Sequence, residues 1–168
     1  MCAAILVVCS WVSVQIGVVP VTLQTLGVCL VAGLFGWKRG TLSVLVYILL
    51  GALGLPVFSG FKGGAGILLG ATGGYIIGFV FIALIVGLVS DKSGAKLLPL
   101  IIAMAAGIAV CYAFGTAWFA LVYAQKGEPK TLGAILSMCV LPFLLPDIAK
   151  LALAALLTPR LKKRINLN

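Results

Sequence analysis

Charge is nearly absent from the long apolar runs of this chain, and that limits its folding more than any motif does. Of its 168 residues, 63% are hydrophobic and 9% are charged. A soluble domain carries about 25% charged residues and uses them to cover its surface. A chain this poor in charge has no such cover. It therefore reads as an integral membrane protein forming a single domain over residues 1–168.

Six apolar stretches can be drawn, at 3–19, 21–36, 40–55, 66–89, 97–124 and 131–158. A membrane-spanning helix needs about 20 apolar residues, so the second and third are short. The turn Gly36-Trp37-Lys38-Arg39-Gly40 separates them. The expected fold is all-α, a bundle of six transmembrane helices. The opening residues Met1 to Val19 carry no Lys or Arg ahead of their apolar run, so they read as a spanning helix and not as a secretory signal. Pro20, Pro56, Pro99 and Pro129 fall at or near the ends of these stretches, where a missing N–H does little harm.

The basic residues set an orientation. With six spans, Lys38, Arg39, Lys92, Lys96, Arg160, Lys162, Lys163 and Arg164 fall on one side, and Lys62, Lys126 and Lys130 on the other. The positive-inside rule then places both termini in the cytoplasm. The net charge of +9 reads as topology signals beside anionic lipid headgroups and calls for no nucleic acid.

Several function classes drop out. The chain has no room for a soluble catalytic domain. No GxxxxGK[ST] phosphate loop occurs, so ATP-driven work would have to come from a partner. With no His and no nucleophile–base pair, no enzymatic chemistry is expected. Cys2, Cys9, Cys29, Cys111 and Cys139 lie singly in apolar stretches and read as small buried hydrophobes, with no metal or cofactor site.

Against this background, Asp147 and Lys150 are the only acid and the only base between Thr131 and Thr158. A charge at bilayer depth is expensive and is rarely kept without a function. At i,i+3 on a helix the two share a face, with Cβ atoms roughly 5–6 Å apart. If Arg160 marks the membrane edge, Lys150 lies about 15 Å in and Asp147 about 20 Å, at about 1.5 Å per residue. In a core of about 30 Å those depths are the midplane and the outer half. Pro142 and Pro146 each remove a helical N–H just before the pair, so a kink or break is expected here, with Asp147 in the first turn if a half-helix starts at Pro146. Broken helices of this kind line substrate sites in transporters. The bland alternative, an internal salt bridge, would gain little, because desolvation offsets the Coulomb term. A site facing the bundle interior, where Lys150 holds an anionic oxygen and Asp147 accepts N–H donors, is the better account.

Other polar residues fall in the same outer half: Thr22, Gln24, Thr25, Ser59, Thr72, Tyr75 and Trp118. Taken singly, interhelical hydrogen bonds or an aromatic belt would explain each. Their shared side of the membrane points to a common pocket. Between them, Gly60 to Gly66 is expected to form a flexible outer loop, and Gly66, Gly70 and Gly74 recur at the four-residue spacing that lets helices approach closely.

Five motifs then occur in one order. They are Pro20-Val21-Thr22-Leu23-Gln24-Thr25, Gly36 to Gly40, Gly54-Leu55-Pro56-Val57-Phe58, Gly70-Ala71-Thr72-Gly73-Gly74-Tyr75, and Pro142 through Asp147 to Lys150. Together they resemble the BioY family, the biotin-binding S subunits of energy-coupling factor (ECF) transporters. The resemblance covers nearly the whole chain. It implies a six-helix ECF S-component fold in a bacterial cytoplasmic membrane and high-affinity biotin binding on the outer side. It implies as partners a transmembrane coupling subunit and two cytoplasmic ATPases. The family's sixth-helix Asp and Lys match Asp147 and Lys150, its Gly-Gly-Tyr matches Gly73, Gly74 and Tyr75, and Ser59 matches the polar residue after Pro-Val-Phe. With the outer-half cluster, the candidate biotin contacts are Asp147, Lys150, Tyr75, Thr72, Gln24, Ser59 and Trp118. Two positions depart from the family pattern: Ala71 stands where Pro is common, and Val7 and Val8 stand where the first helix usually shows small residues. The other readings of the residues are an S subunit for a different vitamin and a membrane scaffold with no transported ligand.

Overall fold

A computed structural model describes residues 1–16, 19–127 and 131–165. Pro129, read above as lying near the end of a stretch, and Lys130, placed on the side opposite the basic end, lie outside the described residues. The first apolar stretch is not one helix. Helix α1 covers Cys2–Trp11 and is followed by strands β1 (Ser13–Ile16) and β2 (Val19–Thr22). The strands pair antiparallel, with Ser13 opposite Thr22 and Val14 opposite Val21. The reason is local: Val12, Val14, Ile16, Val19, Val21 and Thr22 are β-branched, which favours the pleated surface over a helix. Pro20, lacking an N–H, sits within a strand of a two-stranded sheet, where both strands are edges. At about 1.5 Å per residue, ten residues reach about 15 Å, half of a bilayer core.

Helix α2 spans Gln24–Ala52 and is interrupted at Gly36, whose φ of 76° and ψ of −178° break the helical path. On a straight helix Gln24 and Tyr47 would lie about 35 Å apart. Instead, Gln24 Nε2 donates to the Tyr47 hydroxyl at 2.5 Å. Gly40 likewise packs against the backbone of Ala32. The chain therefore folds back at Gly36 into two arms, 24–35 and 37–52. These arms are the expected short second and third segments, and a glycine takes the positive φ at little steric cost. Asp91 secures the bend: its Oδ2 accepts the Trp37 N–H at 3.0 Å, one of the amides that the start of the second arm leaves unpaired.

The remaining helices are α3 (Ala65–Leu69), α4 (Gly73–Ser93), α5 (Leu97–Gln125), α6 (Leu132–Cys139) and α7 (Leu141–Ile165). Among the described residues, α2, α4, α5 and α7 are long and apolar enough to cross a membrane by length and composition. The expected count of six spans is not reproduced in this form: α1 is too short, and α2 is folded on itself. The fourth apolar stretch is split between α3 and α4, and the sixth between α6 and α7.

Helix α4 lies at the centre, packed on α2 and α5. Gly78 faces Cys111, Gly87 faces the backbone of Trp37, and Gly107 faces Ile82. Lipid tails are as apolar as Leu, so helices gain by close approach at such small residues. The buried core holds Val28, Val44, Ile82, Val86, Leu100 and Met104.

The two ends of the bundle differ. At one end, Ser90 Oγ donates to the Gly33 carbonyl at 2.6 Å, and Lys162 Nζ donates to Ser90 Oγ at 3.2 Å. These bonds bring the first arm of α2, the end of α4 and the end of α7 together, with Lys38, Arg39, Lys92 and Arg160 on the same or adjoining turns. The other end gathers the starts of α2, α4 and α7 and the end of α5. The segment expected to be a flexible loop there is pinned instead. Phe58 N–H donates to the Lys62 carbonyl at 2.9 Å, and Gly64 N–H to the Gly51 carbonyl at 2.7 Å. From α1, Trp11 Nε1 donates to the Pro56 carbonyl at 2.9 Å, and Ser10 Oγ to the Val57 carbonyl at 2.5 Å.

Candidate ligand site

The helix break comes earlier than Pro146. It falls at Val140, with φ −121° and ψ −53°, and α7 begins at Leu141. Pro142 then occupies the second position of α7, where its missing N–H is one that the helix start leaves unpaired anyway. Phe143 and Leu144 both donate their N–H to the Val140 carbonyl, at 3.0 and 3.2 Å. Pro146 lies inside α7. Asp147 is thus the seventh residue of the helix, one turn deeper than a start at Pro146 would place it.

Asp147 and Lys150 are both buried, at 4% and 8% exposure, and Lys150 Nζ lies 2.7 Å from Asp147 Oδ1. Two more donors reach the carboxylate, leaving one acceptor site on Oδ2 open. Thr25 Oγ1 donates to Oδ1 at 3.0 Å, and the Tyr112 hydroxyl donates to Oδ2 at 2.5 Å. The carboxylate thus draws together α2, α5 and α7. A buried ion pair is stable only when its remaining lone pairs are hydrogen-bonded, and here both oxygens are. Lys150 is less fully engaged: among the described residues Asp147 is its only hydrogen-bond partner. An ammonium group has three donors. Two remain for whatever enters the space beside it.

That space is a cavity of about 330 Å³. Small-molecule sites run from about 300 to 1,000 Å³ and are mostly apolar, with a few placed polar groups. This cavity follows that pattern. Phe58, Phe79 and Phe143 supply aromatic wall, and Asp147, Lys150 and Thr25 form its charged and polar corner.

Six of the seven residues expected at the site line the cavity: Asp147, Lys150, Tyr75, Thr72, Gln24 and Ser59. They are not equally available. Gln24 is committed to the fold, donating to Tyr47 and accepting from Thr22 Oγ1 at 3.1 Å. The Tyr75 hydroxyl lies 3.3 Å from Thr116 Oγ1. Ser59 Oγ is buried and, among the described residues, has no hydrogen-bond partner. Such an atom is costly to bury unless a ligand or water satisfies it. Trp118 is the exception, and it does not line the cavity. Its Nε1 donates to the Gly70 carbonyl at 3.0 Å, and its ring packs where Gly74 leaves room. It braces the turn between α3 and α4 from outside.

Three further residues belong to the site. Tyr112 and Thr25 hold the carboxylate, and Lys62 lines the cavity from the pinned loop. Thr25 stood in the polar cluster of the outer half. Tyr112 had a weaker signal, a hydroxyl within an apolar run whose partner lies 35 positions away.

The model of the BioY family matches residues 1–167. The chain belongs to this family. It is 42% identical over 160 residues to "Biotin transporter BioY" of Thermotoga maritima, covering 95% of this chain and 90% of that protein. It is 42% identical over 151 residues to "Probable biotin transporter BioY" of Pyrococcus horikoshii, covering 90% of this chain and 85% of that one. Among solved structures it resembles the S-component for biotin from an ECF-type ABC transporter. That match has a TM-score of 0.83 and 30% identity, and covers 96% of this chain and 87% of the other. Family membership and the apolar helices together make this a multi-pass membrane protein of the transporter class.

Proposed function

We propose that this protein binds biotin with high affinity and serves as the substrate-binding S-component of an ECF-type transporter in the cytoplasmic membrane. The observation that carries this reading is the buried Asp147–Lys150 pair, held by Thr25 and Tyr112 on one wall of an apolar cavity. Biotin's ureido ring offers N–H donors and a carbonyl on an apolar bicycle. Asp147 is an acceptor for an N–H, the spare donors of Lys150 suit the carbonyl, and Phe58, Phe79 and Phe143 suit the bicycle. The relatives and the structural neighbour, named for biotin, support the same ligand.

In the membrane we read six crossing segments: α1 extended by the β1–β2 hairpin, the two arms of α2, α4, α5, and α6 with α7. The end carrying Lys38, Arg39, Lys92, Lys96 and Arg160 faces the cytoplasm with both termini, and the cavity opens outward. The partners that the BioY resemblance implies for ATP-driven uptake are a transmembrane coupling subunit and two cytoplasmic ATPases, which would supply the phosphate loop this sequence lacks. Native mass spectrometry of the protein purified without added vitamin tests the ligand assignment. A bound species of biotin's mass is expected. A different vitamin, or no uptake of biotin when it is added, would overturn it.

A further inference from the structure

Among the described residues, three charged side chains line the cavity: Asp147, Lys150 and Lys62. The first two neutralise each other in the one ion pair found among those residues. Among the described residues Lys62 has no such partner. Lys62 is an exposed lining residue, whereas the pair is buried. The described lining therefore carries a net +1, contributed by an exposed residue. No acid among the described lining residues balances it.

The segment that carries Lys62 is fixed. Its own carbonyl accepts the Phe58 N–H, and its stem passes over Gly60. On the α1 side, Trp11 and Ser10 hold the Pro56 and Val57 carbonyls, and the Trp11 and Phe61 ring centroids lie 4.9 Å apart. A lysine on a loose loop would lose backbone freedom as well as side-chain freedom in meeting a ligand. This one starts from a held backbone, so only the side chain has to be ordered.

We propose that Lys62 selects for a ligand with an anionic tail: it pairs with a carboxylate while the neutral polar head of the same ligand lies against Asp147 and Lys150. This rests on the biotin reading, whose valerate carboxylate is the tail in question, and makes Lys62 a specificity determinant. The pair is solvent-exposed, so its contribution is modest, about fivefold in affinity (~1 kcal/mol).

The test is calorimetry on the full chain in zwitterionic nanodiscs, with biotin and with its neutral primary amide. Wild type is expected to bind biotin about fivefold more tightly than the amide. Lys62→Gln is expected to lose that preference by weakening biotin alone, and Lys62→Arg to keep it. If Lys62→Gln leaves the preference intact, or weakens both ligands equally, the assignment of Lys62 fails while biotin binding stands. If wild type binds neither ligand, the biotin reading fails and this one with it.

Discussion

The hydroxyl of Tyr112 donates to Oδ2 of Asp147 at 2.5 Å, across from the Lys150 and Thr25 donors on Oδ1. The acid is therefore oriented by α2 and α5 as well as by its own helix, and a ligand meets a carboxylate whose direction is already set. Tyr112 also stands between the ligand cavity and an apolar groove of about 190 Å³ between α5 and α7, since it lines both. Tyr112→Phe keeps the wall and removes only the donor. A hydrogen bond to a charged group is worth about 1.5–3 kcal/mol. Biotin affinity is expected to fall by about tenfold or more in Tyr112→Phe, measured by calorimetry, with helix content unchanged by circular dichroism.

The ion pair makes a stability prediction separable from binding. Removing one member of a buried pair leaves an uncompensated charge, at about 3–5 kcal/mol. Asp147→Ala should therefore lower the thermal midpoint in detergent sharply. The double variant Asp147→Ala with Lys150→Met removes both charges and should recover much of that loss, while still failing to bind biotin. Equal midpoints for the single and the double variant would mean that the pair has no energetic coupling.

The bend at Gly36 depends on two residues far from the cavity. A Cβ at Gly36 would run into the Asp91 carboxylate, and its positive φ disfavours any other residue. Asp91→Ala removes the acceptor of the Trp37 N–H, which for a helix start costs about 1 kcal/mol. Gly36→Ala should destabilise by more than Asp91→Ala. Biotin affinity in Asp91→Ala should stay within about threefold of wild type. A larger loss would mean that the basic end is coupled to the cavity.

Trp118 gives the sharpest contrast with the residues that line the cavity. Trp118→Phe removes the bond to the Gly70 carbonyl but no cavity wall. It should reduce stability by about 1 kcal/mol, a typical net hydrogen-bond contribution. Biotin affinity should change less than it does in Tyr112→Phe. An effect on binding as large as that of Tyr112→Phe would place the indole in the site.

What the sequence revealed follows from what each residue can do alone. Asp147 and Lys150 stand out because a charge in an apolar run has few reasons to be there, and their i,i+3 spacing already put them on one face. The bend at Gly36 was legible because short apolar arms flank a Gly-rich basic turn. The β-hairpin at 13–22 was not, because a run of apolar residues is ambiguous between strand and buried helix, and only its β-branched content favours strand. Trp118 was misplaced because α5 is apolar on every side, which leaves no periodicity to tell the cavity face from the outer one. Tyr112 needed a partner from another helix to acquire meaning. Pro146 drew the helix start too late, since a proline near a helix start is tolerated at more than one position, and the break at Val140 leaves no proline of its own.

The central claim is that the buried Asp147–Lys150 pair forms the polar corner of a biotin site. Isothermal calorimetry of biotin with wild type, Asp147→Asn and Lys150→Ala, each checked for intact folding, tests it most directly. Each substitution is expected to weaken binding by at least about tenfold, ~1.4 kcal/mol. Wild-type affinity in both variants would contradict the account.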